Sequence, residues 1–348
     1  MHAAGGMTRS VPDYAVIVIS ANNGIQRMTK EHLALCLALK IPFFVVITRV
    51  DATPDNVRID TVNTVVKMLK HPSVRKLPLM VRRLEDAIIG AKNMKADRVT
   101  PILEVSNVTG YNLDLLYCML NLVPSRYDWA HQSVLPSQEL VVDSTFYVTG
   151  VGTVVGGIVT QGTFRVGDNV VLGPDGNGNF RPTQVKSIHS KGIDVPFAAA
   201  GSDATLALKK EKKNNIRKGM VVLGGDAAAN VVAYWEFEAE VVILYHSTTI
   251  SNNYEPVIHS STVRQSARIQ LTDREVLRTG DKARVRFRFL YRPEFIKVGQ
   301  KLVFREGRTK GLGTVMAVVA GSGPAGPAGP KVAVVAKDAA AAAAKKKS

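Results

Sequence analysis

The sequence predicts an α/β domain with a parallel sheet, followed by two all-β units. Three observations predict this arrangement. Short continuous apolar runs alternate with helix-like periodicity in the first third of the chain, a pattern typical of strands buried on both faces and linked by helices. Short β-branched runs separated by Gly, Asn and Asp fill the middle third. The same pattern returns after a second break, and it favours barrels or sandwiches.

In the α/β part, three apolar runs are long enough for buried strands. They lie at residues 14–19, 42–47 and 101–105. Thr29 is the predicted cap of the helix after the first run. Thr53 is the predicted cap of the helix after the second run, with Pro54 in its first turn. Leucines at spacings of three and four after residue 112 predict one more helix.

Two polar breaks, at residues 127–136 and 224–230, separate this part from the all-β units. Short β-branched or apolar runs between turn residues predict the strands of the first all-β unit, at 146–149, 153–160, 169–172 and 184–188. Runs at 235–244 and 283–290 predict strands of the second. The Gly- and Pro-containing end, residues 321–348, is predicted to be a disordered low-complexity tail.

The chain has 348 residues and a formal net charge of +16. The excess is spread along the sequence, which fits a polyanionic partner such as RNA, and equally fits an ordinary basic protein. No apolar run is long enough to span a bilayer, and two cysteines cannot form a disulfide framework. We therefore expect a cytoplasmic protein without a membrane partner. The histidines lack metal-ligand spacing, and we assign no metal ligand.

Two loops follow buried strands and carry groups suited to a purine base. They are Thr48-Arg49-Val50-Asp51 and Ser106-Asn107-Val108. Ligands of open parallel sheets bind beyond the carboxyl ends of the strands. A carboxylate there can accept the N1–H and 2-amino hydrogens of guanine, a donor pair that adenine lacks. The alternative interpretation is that each strand simply ends in a polar turn.

Further motifs resemble those of translational GTPases. The segment Ser20-Ala-Asn-Asn-Gly24 resembles the region after their second switch, Thr48–Asp51 resembles their guanine-reading N/T-K-x-D motif, and Ser106–Val108 resembles their S-A-x motif. Segments of the all-β units resemble domains 2 and 3 of elongation factor Tu, at 150–157, 162–168, 216–220 and 304–315. The chain is identified as a member of this class, in the GTP-binding protein 1/2 family.

The resemblance implies an α/β remnant of a P-loop GTPase domain followed by two β-barrel domains. It divides the chain into the C-terminal part of a GTP-binding domain (1–130), barrel domain 2 (136–228), barrel domain 3 (231–320) and the tail (321–348). It implies that Asp51 reads guanine, that Arg49 flanks the base and that Asn107 supplies a backbone contact. Thr48, Ser106 and Val108 complete the implied guanine-binding loops.

The resemblance also implies GTP and Mg²⁺ as cofactors, tRNA or the ribosome as partner, and a monomer. Its departures concern catalysis. The sequence contains no G-x-x-x-x-G-K-[S/T] motif and no D-x-x-G before Tyr14, and Arg49 stands where the family usually has Lys. We expect that Met1 is internal to a longer product or that the first domain is damaged. The chain as given is predicted not to hydrolyse GTP, and no catalytic residue is assigned. The alternative function is a non-enzymatic RNA- or ribosome-binding module of two barrels.

A set of basic residues in the second all-β unit forms the candidate RNA contact. Arg284, Arg286 and Arg288 alternate with apolar residues, so they share one face of a strand. We call these three residues the arginine stripe. Arg305, Arg308 and Lys310 are further candidates for the same RNA contact. The alternative is a solvated strand face. A second cluster, the lysine loop formed by Lys209, Lys210, Lys212 and Lys213, is interpreted as a solvated loop.

Overall fold

The computed structural model describes residues 12–246, 248–306 and 309–319. The chain separates into two compact units, one ending at Asp128 and the other starting at Trp129. The first unit is α/β, and the described part of the second contains two barrels, short strands and short helices. The predicted tail lies outside the described residues. Among the described residues, no helix is both long enough and apolar enough to cross a membrane.

A four-stranded parallel sheet forms the centre of the first unit, with the order β1-β2-β4-β3. Its strands are β1 (Ala15–Ser20), β2 (Phe43–Thr48), β3 (Leu77–Met80) and β4 (Val99–Glu104). The accompanying helices are α1 (Arg27–Leu39), α2 (Asp55–Lys70), α3 (Leu84–Met94) and α4 (Leu113–Leu122). The predicted parallel α/β sheet is therefore confirmed.

The sheet forms where the apolar runs are continuous. Every residue from Phe43 to Ile47 is buried, because β2 lies between β1 and β4 and is covered on both faces. Phe44 and Val46 contact a core that includes Met94 of α3 and Met119 of α4. This core positions the carboxyl ends of β2 and β4 side by side.

Both predicted helix caps are wrong. The helix α1 begins at Arg27 with Gln26 as its cap, and Thr29 lies in the first turn, where its hydroxyl accepts a hydrogen bond from the Gln26 amide at 3.3 Å. Pro54, rather than Thr53, is the cap of α2. The Thr53 hydroxyl instead contacts the loop before the helix, and this difference matters for the site described below.

The first barrel closes through six strands in the cyclic order β9-β12-β6-β5-β13-β8. The six barrel strands are β5 (Gln138–Val148), β6 (Gly152–Gln161), β8 (Asn169–Gly173), β9 (Arg181–Ser190), β12 (Asp203–Leu208) and β13 (Val221–Gly224). The short strands β7 (Thr163–Arg165) and β11 (Phe197–Ala199) pair with each other, and β10 (Ile193–Val195) pairs with β9. Gly157 allows β5 and β6 to approach closely, since a Cβ atom there would lie 2.0 Å from the Val141 carbonyl oxygen.

The second barrel is closed in the order β14-β19-β17-β16-β20-β21. The six barrel strands are β14 (Glu236–Tyr245), β16 (Val257–Ser260), β17 (Val263–Leu271), β19 (Lys282–Phe289), β20 (Lys301–Glu306) and β21 (Thr309–Val319). The short strands β15 (Ile250–Ser251) and β18 (Val276–Leu277) pair with each other. Phe237, Phe287 and Phe289 pack together in its core. Both all-β units are thus barrels, which decides between the two predicted architectures.

The polar breaks contain short helices, α5 (Trp129–Ser133) and α6 (Asp226–Ala229).

A buried carboxylate connects the two barrels. Glu294 of the second barrel is fully buried and accepts a hydrogen bond from Arg217 of the first barrel at 2.9 Å. Arg292 and Gln265 donate to the other carboxylate oxygen at 3.1 and 3.0 Å. Burial raises the pKa of Glu294, although both arginines oppose this shift.

Candidate nucleotide-binding site and basic surfaces

Three loops meet at the carboxyl edge of the parallel sheet. They follow β1, β2 and β4, and β2 pairs with both neighbours. The Ala21 amide donates to the Thr48 carbonyl oxygen at 2.9 Å, and the Val105 amide donates to the Ile47 carbonyl oxygen at 2.8 Å. The structure therefore places the two predicted guanine-binding loops at adjacent strand ends.

The loop after β2 is held in a sharp turn by its own backbone. Arg49 has a left-handed conformation with φ of 60°, which costs a non-glycine residue free energy unless neighbouring groups support it. Its carbonyl oxygen accepts hydrogen bonds from the Thr53 hydroxyl at 2.8 Å and the Ala52 amide at 3.3 Å. Thr48 precedes the turn, and its hydroxyl lies 3.5 Å from the Ile19 carbonyl oxygen.

The side chains of Arg49 and Asp51 are exposed. Neither forms an ion pair or hydrogen bond with the residues that the structure describes. Thr53, in contrast, is buried. The turn is thus anchored from beneath, while its carboxylate and guanidinium groups are free for a ligand.

The loop after β4 is organised by Ser106, which is fully buried. Its hydroxyl oxygen accepts hydrogen bonds from the Val108 amide at 3.2 Å and the Thr109 amide at 3.1 Å. The Asn107 amide has no partner among the described residues. Val108 is 85% exposed. Of these three successive N–H groups, only that of Asn107 remains for a ligand.

Sequence analysis missed the residues that support these loops. The Asn112 side chain donates to the Glu104 carbonyl oxygen at 3.0 Å. Arg58 of α2 forms ion pairs with Asp55 at 2.8 Å and with Glu104 at 3.0 Å, and these bonds raise the pKa of Arg58. A threonine four residues after Arg49 is the local sequence signal for this support, because its hydroxyl donates to the Arg49 carbonyl oxygen rather than capping the helix.

The edge can recognise a group that offers two adjacent donors and one acceptor. The Asp51 carboxylate supplies two acceptor oxygens and the Asn107 amide supplies a donor. Within the described residues, no three His, Cys, Asp or Glu side chains are grouped as a metal site.

The arginines of the stripe lie opposite glutamates. In the register of β14 with β19, Arg288 faces Glu236, Arg286 faces Glu238 and Arg284 faces Glu240. Glu238 pairs with both Arg284 at 2.7 Å and Arg286 at 2.8 Å, and Arg288 pairs with Glu236.

Burial alone would raise the pKa of Glu238. The hydrogen bonds and charges of the two arginines outweigh this effect and hold that pKa below its ordinary value. Arg305 lies on β20, whereas Arg308 and the side chain of Lys310 lie outside the described part. The role of the stripe in RNA contact stays a prediction.

The lysine loop has no comparable acidic partners. Its only acidic member, Glu211, pairs with Arg181 at 3.3 Å. Lys209 forms a hydrogen bond with Gln184 at 3.3 Å. Within the described part of the chain, no carboxylate pairs with any lysine of the loop.

Comparisons with known proteins give the same domain order. Three family models match: the elongation factor Tu GTP binding domain at residues 5–125, elongation factor Tu domain 2 at 152–223 and the elongation factor Tu C-terminal domain at 230–319. The structure of translation elongation factor SelB from Methanococcus maripaludis has the same fold, with a TM-score of 0.69 and 18% identity over 91% of this chain and 68% of that chain.

Several curated proteins are similar in sequence over most of the chain. GTP-binding protein 1 of Xenopus laevis is 46% identical over 89% of this chain and 47% of its own length. GTP-binding protein 2 of Homo sapiens is 41% identical over 92% of this chain and 54% of its own length. Elongation factor 1-alpha of Thermococcus onnurineus is 28% identical over 84% of this chain and 65% of its own length. The chain spans about half the length of the first two relatives. Together with the three consecutive domain matches, these identities show that the chain belongs to the elongation factor Tu-like family of translational GTPases.

Proposed function

We propose that the α/β unit binds the base of a guanine nucleotide at the edge formed by the loops Thr48–Asp51 and Ser106–Val108. One observation carries the proposal. The exposed Asp51 carboxylate and the unpartnered Asn107 amide lie in loops that follow adjacent, hydrogen-bonded strands.

The chemistry of these groups favours guanine over adenine. Guanine offers the N1–H and 2-amino donors to a carboxylate and presents a carbonyl oxygen to an N–H group. Adenine has neither donor pair nor carbonyl, so the Asp51 carboxylate would be desolvated without compensation. Arg49 lies on the same turn, and a guanidinium can stack on the plane of a base.

In the wider role that we propose, the protein acts as a translational GTPase in contact with tRNA or the ribosome. The family assignment supports this role, as does the presence of both barrels in the same chain as the α/β unit. A role beside ribosomes implies a cytoplasmic location, and we propose a monomer. Residues for phosphate binding, for Mg²⁺ and for hydrolysis are not assigned to the described part of the chain.

The proposal predicts that Asp51→Asn reverses base preference. The amide of Asn can donate to the 2-oxo group of xanthine but cannot accept both guanine donors. Ligand-observed NMR on the full, unaltered chain should show stronger saturation transfer to GDP than to XDP or ADP. The variant should lose at least about tenfold in GDP binding and bind XDP better than GDP.

Asp60→Asn is the matched control, because Asp60 is an exposed carboxylate on α2 away from both loops. It should leave the order unchanged. Equal signals for GDP and ADP in the unaltered chain would contradict the proposal, as would an Asp51→Asn variant that keeps its guanine preference.

A further inference from the structure

One face of helix α2 reaches the loops of the carboxyl edge. Thr61, Val65 and Leu69 are buried at spacings of four residues, and Arg58 lies three residues before Thr61 on the same face. The Thr61 hydroxyl donates to the Ala21 carbonyl oxygen, in the loop after β1, at 2.8 Å. The loop after β2 leads directly into this helix. The helix is therefore tied to two of the three loops, to one by a buried hydroxyl and to the other by the chain itself.

Arg58 ties the helix to the third loop. Its guanidinium donates to the Glu104 carboxylate at 3.0 Å and to the Asp55 carboxylate at 2.8 Å. The two partners differ in environment, because the side chain of Glu104 is 12% exposed and that of Asp55 is 84% exposed. Water and salt screen an exposed ion pair more strongly than a sheltered one. The bond to Glu104 is therefore the stronger of the two.

Glu104 is placed where it can control the position of both guanine-binding loops. It is the last residue of β4 and lies two positions before Ser106. In the parallel register its partner is Ile47, the residue before Thr48. Its carbonyl oxygen accepts a hydrogen bond from the Asn112 side chain at 3.0 Å. The main chain of this residue is thus held by the loop after β4, and its carboxylate is held by α2.

Few other bonds set the distance between these two loops. The last backbone hydrogen bond between their strands runs from the Val105 amide to the Ile47 carbonyl oxygen. Beyond it, in the part of the chain that the structure describes, no hydrogen bond joins the loop Thr48–Asp51 to the loop Ser106–Val108. A purine is rigid, so the groups that bind its edge have to keep their spacing to within about 0.5 Å. The ion pair of α2 with the end of β4 is a side-chain link that can maintain this spacing.

We propose that Arg58 is a positioning residue of the guanine site. Its ion pair with Glu104 fixes the distance between the Asp51 carboxylate and the Asn107 amide, and thereby strengthens the preference for guanine. Arg58 acts through the two loops and not on the base. The inference rests on the proposed guanine site for its effect on ligand choice, whereas its effect on the loops is present without a nucleotide.

The test compares Arg58→Met with Asp55→Asn in the full chain. Methionine keeps an unbranched, helix-forming side chain and removes the guanidinium. Titrations with GDP and ADP by ligand-observed NMR should show GDP binding weakened about fivefold in Arg58→Met, with ADP binding unchanged. Asp55→Asn is the matched control, because it removes only the exposed partner of the same arginine. It should change GDP binding by less than about twofold.

Exchange of the two charges separates the ion pair from the side chains that form it. Arg58→Glu and Glu104→Arg should each weaken GDP binding about fivefold or more, since each brings two like charges together. The double variant restores opposite charges and should bind GDP within about twofold of the unaltered chain. A double variant as weak as either single variant would overturn the proposal, as would unchanged GDP binding in Arg58→Met.

Val65→Ala controls for a general loss of stability. Val65 is fully buried on the same face of α2, so its truncation weakens the packing of the helix without changing a charge near the loops. Thermal unfolding should show a lower melting temperature for this variant, and its preference for GDP over ADP should be retained. An equal loss of preference in Val65→Ala and Arg58→Met would show an effect of stability alone and would overturn the proposal.

A measurement without nucleotide keeps this proposal distinct from the guanine site itself. In proton–nitrogen correlation NMR spectra of the free chain, Arg58→Met should shift the Asn107 amide resonance. It should also speed hydrogen exchange of the Val108 and Thr109 amides, which the Ser106 hydroxyl holds. The charge-exchanged double variant should reverse both changes. If the unaltered chain binds GDP and ADP equally, the guanine site is wrong, and these amides alone decide whether Arg58 positions the loops. Amides that do not respond to Arg58→Met would refute that role.

Discussion

The arginine stripe and the lysine loop carry the same charge sign on neighbouring barrels, yet their surroundings differ. Each arginine on β19 has a glutamate of β14 within reach. The lysine loop lies on a connection whose single carboxylate is occupied by Arg181. The difference teaches that a count of cations does not measure the charge that a surface offers. The charge that remains available depends on whether the adjacent strand places carboxylates directly opposite the cations.

Arg217 of the first barrel differs from the arginines of the stripe, because its carboxylate partner, Glu294, is fully buried. Glu294→Ala should lower the free energy of unfolding of the barrel unit by about 3–5 kcal/mol, since it removes a buried carboxylate and leaves two partly buried guanidinium groups without their counter-charge. Urea unfolding followed by tryptophan fluorescence measures this loss. Trp129 and Trp235 both belong to that unit.

Glu275→Ala is the control, because Glu275 is exposed and has no ion pair among the described residues. It should change stability by no more than about 0.5 kcal/mol. Similar losses in the two variants would show that Arg217 does not depend on the buried carboxylate.

Glu238→Gln tests the stripe directly. This glutamate neutralises Arg284 and Arg286, so its replacement should cost about 1–3 kcal/mol in stability. It should also strengthen RNA binding, because two guanidinium groups become free. Thermal unfolding measures the loss of stability, and fluorescence anisotropy with a labelled polyuridine oligonucleotide measures the gain in RNA affinity.

The stability cost of Glu238→Gln should depend on pH. The pKa of Glu238 is lowered in the folded chain, so its contribution is complete above the unfolded pKa of about 4.3 and is lost as the pH falls through the folded value. The difference in unfolding free energy between the unaltered chain and the Glu238→Gln variant should therefore become smaller in acid. Glu240→Gln, which removes a more exposed partner of Lys282, should cost about 0.5 kcal/mol or less. A cost for Glu238→Gln that grows in acid would contradict the assigned pairing.

Arg284→Gln should have the smallest effect. Its side chain is 54% exposed, and exposed ion pairs contribute about 0–1 kcal/mol. We expect a stability change of about 0.5 kcal/mol or less and a change in RNA affinity below about twofold. A loss of RNA affinity of about tenfold or more would instead identify the stripe as an RNA contact.

Much of the fold follows from residue patterns. The second and third apolar runs form buried parallel strands, as predicted. The prediction of a buried strand is wrong for the first run: β1 is an edge strand of the sheet, and its Val16 and Val18 are 45% and 61% exposed. The strand β3 and the helix α3 were not predicted. The four residues of β3, Leu77–Met80, include a proline and form an edge strand with one partner, so their apolar signal is short and broken.

The candidate site is predictable in outline only. Adjacent loops follow from the parallel sheet, since neighbouring strands end at the same edge. The pairing of the stripe could be suspected from the sequence, because Glu236, Glu238 and Glu240 repeat with the same period of two as the arginines. Strand register, which brings the two sets together, depends on the closure of the barrel and is not encoded in either segment alone.

The Ser106 hydroxyl has a consequence for discrimination between ligands. By occupying the Val108 and Thr109 amides, it leaves a single hydrogen-bond donor along that stretch of backbone. A carbonyl oxygen can then be met in one orientation, whereas three competing donors would tolerate several tilted poses. In the proposed guanine site, selectivity would therefore depend partly on the removal of competing donors. Ser106→Ala would keep the Asp51 carboxylate and the Asn107 amide, but it would free two further amides and lower the preference for one base.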